Sequence, residues 1–215
     1  MNTRTTITIA RQMGCGGAYV GQIIASHFGL KYVDREVLRL AAQSLGIEES
    51  TMEANRERVS SFWERMFGGL TFGPPDTHYV PPPVLSFSDD ELFQRQVEAL
   101  RLIARQEDCV IIGWGGAYVL PHHPRMVNLY FHAPLRFRIR RVMEIYDITD
   151  KQQAGRMIER SDTMRKKYFA QMTGKDWACA DNYHLSIDTS IFPLPELAGK
   201  LINFIERKIS DNHAT

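Results

Sequence analysis

The chain has 215 residues, 44% of them apolar, which is enough for one well-buried core and short for two full domains. Its formal charge of +1 excludes a global field for nucleic acid or an anionic membrane, so neither partner is expected and any anion must be met by locally placed arginines. Three widely spaced cysteines (Cys15, Cys109, Cys179), a polar opening from Met1 to Thr6 and no long apolar run predict a reduced, cytoplasmic protein without signal peptide or transmembrane helix.

The first elements are a strand over Thr5 to Ala10, a glycine turn from Arg11 to Gly17, and an amphipathic helix beginning near Gly17 or Ala18 and running to Leu30. Glycines at 14, 16 and 17 allow backbone amides to approach an anion, and the helix directs its positive end at the same place, so Gly14, Cys15, Gly16, Gly17 and Ala18 are candidate phosphate ligands. Laid on G-x-x-x-x-G-K-[ST], only Gly16 fits. Arg11 stands for the first glycine, Gly17 for the lysine and Ala18 for the hydroxyl residue. What is lost is a point charge on the phosphates and a magnesium ligand; a tight strand-to-helix turn without a ligand is the plainer alternative. Cys15 at a helix start could be a reactive thiolate or a small filler of the loop.

A short strand follows from Lys31, ending in Asp34 and Arg35, where open α/β sheets meet their ligands; Asp34 could instead cap the next helix. From residue 44 to 90 the pattern loosens into a helical and irregular excursion with Gly68-Gly69, Gly73-Pro74-Pro75 and Pro81-Pro82-Pro83. Its aromatics, Phe62, Trp63, Phe67, Phe72, Tyr79 and Phe87, need something to pack on: the parent domain, a nucleobase or a second copy of the chain in a homodimer.

A helix from Ser88 to about Gln106 leads into Cys109-Val110-Ile111-Ile112, a buried strand that ends in Gly113-Trp114-Gly115-Gly116, a second glycine cluster at a strand's carboxyl end. Met126 to His132 is another strand, and Leu135 to Ile145 a helix whose Arg140 or Arg141 could reach a nucleotide. A helix from Lys151 to Arg160 then runs into Ser161-Asp162-Thr163 and the densest cationic segment, Arg156, Arg160, Arg165, Lys166 and Lys167, read as a helix–loop–helix able to close over phosphates. A late strand over Tyr183 to Ser190 and a helix from Leu194 to Ile209 complete the alternation, which predicts a doubly wound parallel sheet. The histidines are scattered, and no metal site is assigned.

In Ile7 to Gly17 (I-T-I-A-R-Q-M-G-C-G-G), Tyr32 to Leu38 (Y-V-D-R-E-V-L) and Phe67 to Val80 (F-G-G-L-T-F-G-P-P-D-T-H-Y-V), with Val110 to Gly116, Phe131 to Arg141 and Asp176 to Thr189, the chain resembles the cytidylate kinase-like family, the lysine-free variant of the P-loop nucleoside monophosphate kinase fold. The resemblance implies one P-loop kinase-like domain over 1–215, with an acceptor-side excursion over 44–90 and a helical lid over 148–180. It further implies ATP-dependent phosphoryl transfer to CMP or dCMP with magnesium. Gly14, Cys15, Gly16, Gly17 and Ala18 would cradle ATP; Asp34, Arg35, Gly113, Trp114 and Gly115 would form the acceptor side; Arg160 and Arg165 would be lid arginines, with Arg11 supplying the missing charge. Trp114 departs from the family's G-R-G pattern. The alternative is a non-catalytic nucleotide-binding or regulatory module that keeps the fold.

Overall fold

The computed structural model describes residues 4–34, 90–113 and 115–210. Arg35, Trp114 and the excursion up to residue 89 lie outside the described residues. The sheet has five parallel strands: β1 (Thr6–Arg11), β2 (Lys31–Val33), β3 (Cys109–Ile112), β4 (Met126–His132) and β5 (Leu185–Asp188), in the order β2-β3-β1-β4-β5. The order reverses at β1. The crevice at its carboxyl end is therefore where such a sheet meets a ligand.

Alternation along the strands sorts the residues between two faces. Ile7, Ile9, Val110, Ile112, Val127, Leu129 and Phe131 pack against α1 (Gly17–Phe28) and the last helix, α6 (Leu194–Ser210), which buries Leu197, Ala198, Leu201 and Ile205. Between them on β1 and β4, Thr8 and Asn128 alternate onto the other face and satisfy each other there through a hydrogen bond of 2.8 Å from Thr8 Oγ1 to Asn128 Oδ1. Among the described residues the other α-helices are α2 (Asp90–Gln106), α3 (Gly116–Val119), α4 (Leu135–Tyr146) and α5 (Lys151–Thr173).

Helix α5 corrects the expectation of a helix–loop–helix. It is continuous for 23 residues, capped at its start by Asp150 Oδ1, which accepts from Gln152 N–H at 2.8 Å, and closed by Gly174. Ser161 and Asp162 have modest helix propensity, but Ser161 is buried and Asp162 is engaged with residues outside the helix, so tertiary contacts override the local preference. One side of α5 packs Ala154 and Ile158 on Met13 and Val142; further on, Phe169 meets Tyr118 edge-on at 4.6 Å and joins a cluster with Tyr130 and Trp177. The segment expected to be a lid thus lies against the glycine turn at one point and against α3 at another.

Candidate phosphate-binding site

The turn between β1 and α1 has the backbone an anion cradle requires. Gly14 and Gly16 both adopt left-handed conformations, with φ of 80° and 82°. A side chain at either would be strained, and a Cβ at Gly16 would also lie 2.5 Å from Leu194 Cδ1, so this glycine serves the packing of α6 as well as the turn. Among the described residues, the amides of Gly14, Gly16 and Ala18 donate to no protein acceptor. They are available to an anion at the positive end of α1.

The loop is anchored from three directions. Thr189, just past β5, donates Oγ1 to Cys15 O at 2.7 Å; Gln12 N–H donates to Phe131 O at 3.0 Å; Met13 N–H donates to Asp162 Oδ1 at 2.9 Å. Replacing Thr189 by valine removes the buried donor at nearly constant shape and should cost about 1 kcal/mol of stability, read by denaturant titration.

Arg11 ends β1 and runs between the two glycine clusters. A Cβ at Gly17 would stand 3.1 Å from Arg11 Cβ and 3.2 Å from its Cδ; a Cβ at Gly113 would stand 2.6 Å from Arg11 Nη1. The arginine therefore passes over the position at which a standard loop carries its lysine, and its guanidinium rests beside the carboxyl end of β3. Glycine at 17 and arginine at 11 are one arrangement, since a side chain at 17 would crowd the arginine stem. Asp34 follows β2 and Gly113 follows β3, its neighbour in the sheet, with Gly115 two residues on, so the acceptor-side candidates Asp34, Gly113 and Gly115 all follow the carboxyl ends of adjacent strands.

The two arginines predicted as lid residues part company. Arg165 is three-quarters buried, and its Nη1 lies 3.3 Å from Asp162 Oδ1. Arg160 is exposed, five residues earlier and about 140° around the helix. Burial pushes the Cys15 thiol up to about 11, although the Gly17 amide and the fields of Arg11 and Arg165 work against it. At neutral pH Cys15 is a protonated filler rather than a reactive thiolate.

Two contributors escaped the sequence reading. Arg138 of α4 bonds the loop: it is buried, donating Nε to Ala133 O at 2.9 Å and Nη1 to Met13 O at 3.3 Å and Asp162 Oδ2 at 2.6 Å. Arg140 and Arg141 have their guanidinium groups over the Phe137 ring. The usable signal was position, because Arg138 and Val142 are four apart on one helix face and both face the loop. Asp162, an acid amid the cations of α5, is the second.

The residues fit a phosphate chain: free loop amides, a helix start and two arginines converge. Magnesium finds no protein cage among the described residues, where no group of three or more His, Cys, Asp or Glu could hold a metal and Ala18 offers no hydroxyl. Magnesium commonly keeps its waters and binds largely through substrate phosphates, which this site would permit. No helix among the described residues is long and apolar enough to cross a membrane.

Comparison with known proteins agrees with this geometry. A crystal structure of an uncharacterized protein from Eubacterium ventriosum ATCC 27560 is similar, with a TM-score of 0.68 at 20% identity, covering 94% of this chain and 99% of that one. A gluconokinase from Sinorhizobium meliloti 1021 has the same fold, with a TM-score of 0.52 at 12% identity over 99% and 98% of the two chains. No curated protein sequence matches the chain. The sequence matches the cytidylate kinase-like family from residue 6 to residue 191, a span that takes in the glycine loop, the second glycine cluster and helix α5, and the chain belongs to that family.

Proposed function

We propose that the chain transfers a phosphoryl group from ATP to a nucleoside monophosphate, with CMP and dCMP the first candidates. The observation that carries this reading is a glycine loop with free amides at the switch point of a parallel sheet, with Arg11 of β1 laid across Gly17 and Arg165 of α5 bonded to the Asp162 oxygen that accepts from Met13 N–H. ATP supplies the phosphoryl group. The amides of Gly14, Gly16 and Ala18 hold its phosphates, Arg11 replaces the missing lysine as the fixed charge, and Arg165 offsets the charge that develops during transfer. Asp34, Gly113 and Gly115, with Arg35 and Trp114, form the acceptor side. The three free cysteines accord with a reduced, cytoplasmic setting.

A second reading, a nucleotide-binding module without chemistry, draws on Gly17, Ala18 and Trp114, which remove a lysine, a hydroxyl ligand and an arginine. Melting curves with each nucleotide followed by a coupled assay separate the two. ATP with magnesium at 100 times its dissociation constant should add about 2.7 kcal/mol of stability. Turnover with any nucleoside monophosphate supports the kinase; stabilisation without turnover over the whole acceptor panel defeats it in favour of the module.

A further inference from the structure

Three donors converge on the carboxylate of Asp162, and they are not equivalent. Arg138 Nη1 approaches at 2.6 Å with both side chains largely buried, and Met13 N–H at 2.9 Å. Since Arg138 also donates to Met13 O, the pair grips one loop peptide by its N–H and its C=O together. Arg165 is the outer donor, at 3.3 Å, three residues along the same helix and more exposed than Arg138. Breaking the inner pair would strand a buried charge, which is strongly disfavoured. Exchanging the outer one costs little, because a longer, partly exposed pair within one helix is weak, whereas a phosphate oxygen offers a charge-assisted bond.

We propose that Asp162 is a positioning residue of the phosphate loop: with Arg138 it fixes the Met13 peptide, and it holds Arg165 aimed at the loop until a phosphate chain takes that arginine over. The inference rests on the phosphate-loop reading and adds to it the means by which the arginine is kept ready. Without a ligand, three arginines (Arg11, Arg138, Arg165) crowd one turn, and Asp162 is the carboxylate that bonds two of them. Packing keeps the device rigid, because Met13 shares a cluster with Val142 of α4 and with Ala154 and Ile158 of α5, so loop and both helices move as a block. Arg165 can then change partner without α5 unfolding or leaving the loop. The exchange is local, from one oxygen acceptor to another.

Asp162→Asn retains an acceptor for Met13 N–H and removes the charge. The dissociation constant for magnesium ATP should stay within about threefold or tighten, since a negative charge has left the phosphate site, while kcat falls at least tenfold because Arg165 loses the carboxylate that aims it at the loop. A lowered melting temperature is expected, because Arg138 loses its charged partner; parallel losses of affinity and turnover measured below that temperature would reduce Asp162 to a structural residue and overturn the proposal. If Asp162→Asn does not fold, the wild-type protein still decides. In spectra of ¹⁵N-labelled arginine side chains, magnesium ATP or inorganic tripolyphosphate should shift the Arg165 resonance and leave that of Arg138 in place. A bound ligand with Arg165 unmoved, or with both moved, overturns the handover and leaves the phosphate-loop reading standing. If calorimetry detects binding of neither ligand, the phosphate-loop reading itself fails and the handover with it.

Discussion

Arg165→Ala should lower turnover about a hundred- to a thousandfold while changing ATP affinity far less. That is the range seen when one pre-aligned donor to a developing charge is removed. The side chain is three-quarters buried and bonded to Asp162, so part of the cost of orienting it is met by the fold before a ligand arrives. Interactions strongest in the transition state appear in kcat, whereas those shared with the ground state appear in the dissociation constant. Arg160→Ala provides the internal control, since Arg160 faces solvent. Its effect should be much smaller. Equal and large losses of turnover for the two variants would show that α5 rotates during the reaction and that the packing of Met13 on Ala154 and Ile158 is not kept. A loss confined to affinity would move Arg165 from charge stabilisation to ground-state binding.

Much of the architecture was legible because it rests on local rules. The strand around Ile7 and Ile9, the buried run Cys109 to Ile112 and the strand from Met126 to His132 carry the hydrophobic patterns of a sheet covered on both faces, and the helices between them carry their own period. The glycine turn was legible too, since a strand that passes tightly into a helix calls for left-handed residues, and Gly14 and Gly16 adopt that conformation. The clamp was not. A run such as Arg136, Arg138, Arg140 and Arg141 is normally a solvated face, and only the approach of α4 to Met13 singles out Arg138. Ser161-Asp162-Thr163 looked like a helix break because those side chains compete for backbone groups locally; here Asp162 is taken up by Met13 and Arg138, partners 149 and 24 residues away in sequence. Gly16 was read as a binding residue alone, yet its contact with Leu194 comes from the far end of the chain and could not be seen from the loop.

Arg11→Ala should weaken ATP binding by about 1.5 to 3 kcal/mol, roughly a ten- to hundredfold rise in dissociation constant, the range for a hydrogen bond to a charged group. Arg11→Lys should recover only part of it, because a lysine has no planar fork to span two oxygens. The geometry allows a sharper test. A side chain at Gly17 would meet Arg11 Cβ at 3.1 Å and Cδ at 3.2 Å, so Gly17→Lys alone crowds the arginine stem and should lower both stability and affinity. In the double variant Arg11→Gly/Gly17→Lys the stem is gone, and the loop reads G-x-x-x-x-G-K, with the lysine on the first residue of α1. The new glycine costs about 0.5 to 1 kcal/mol at the end of β1, a small loss beside the charge that returns to the phosphates. ATP should therefore bind the double variant more tightly than either Arg11→Gly or Gly17→Lys, a non-additivity expected only of side chains that share one space and one task. Calorimetry with magnesium present measures wild type and every variant. Equal affinity of wild type and Arg11→Ala, or strictly additive losses in the double variant, would mean that Arg11 does not stand in for the lysine, and the reading without chemistry would gain.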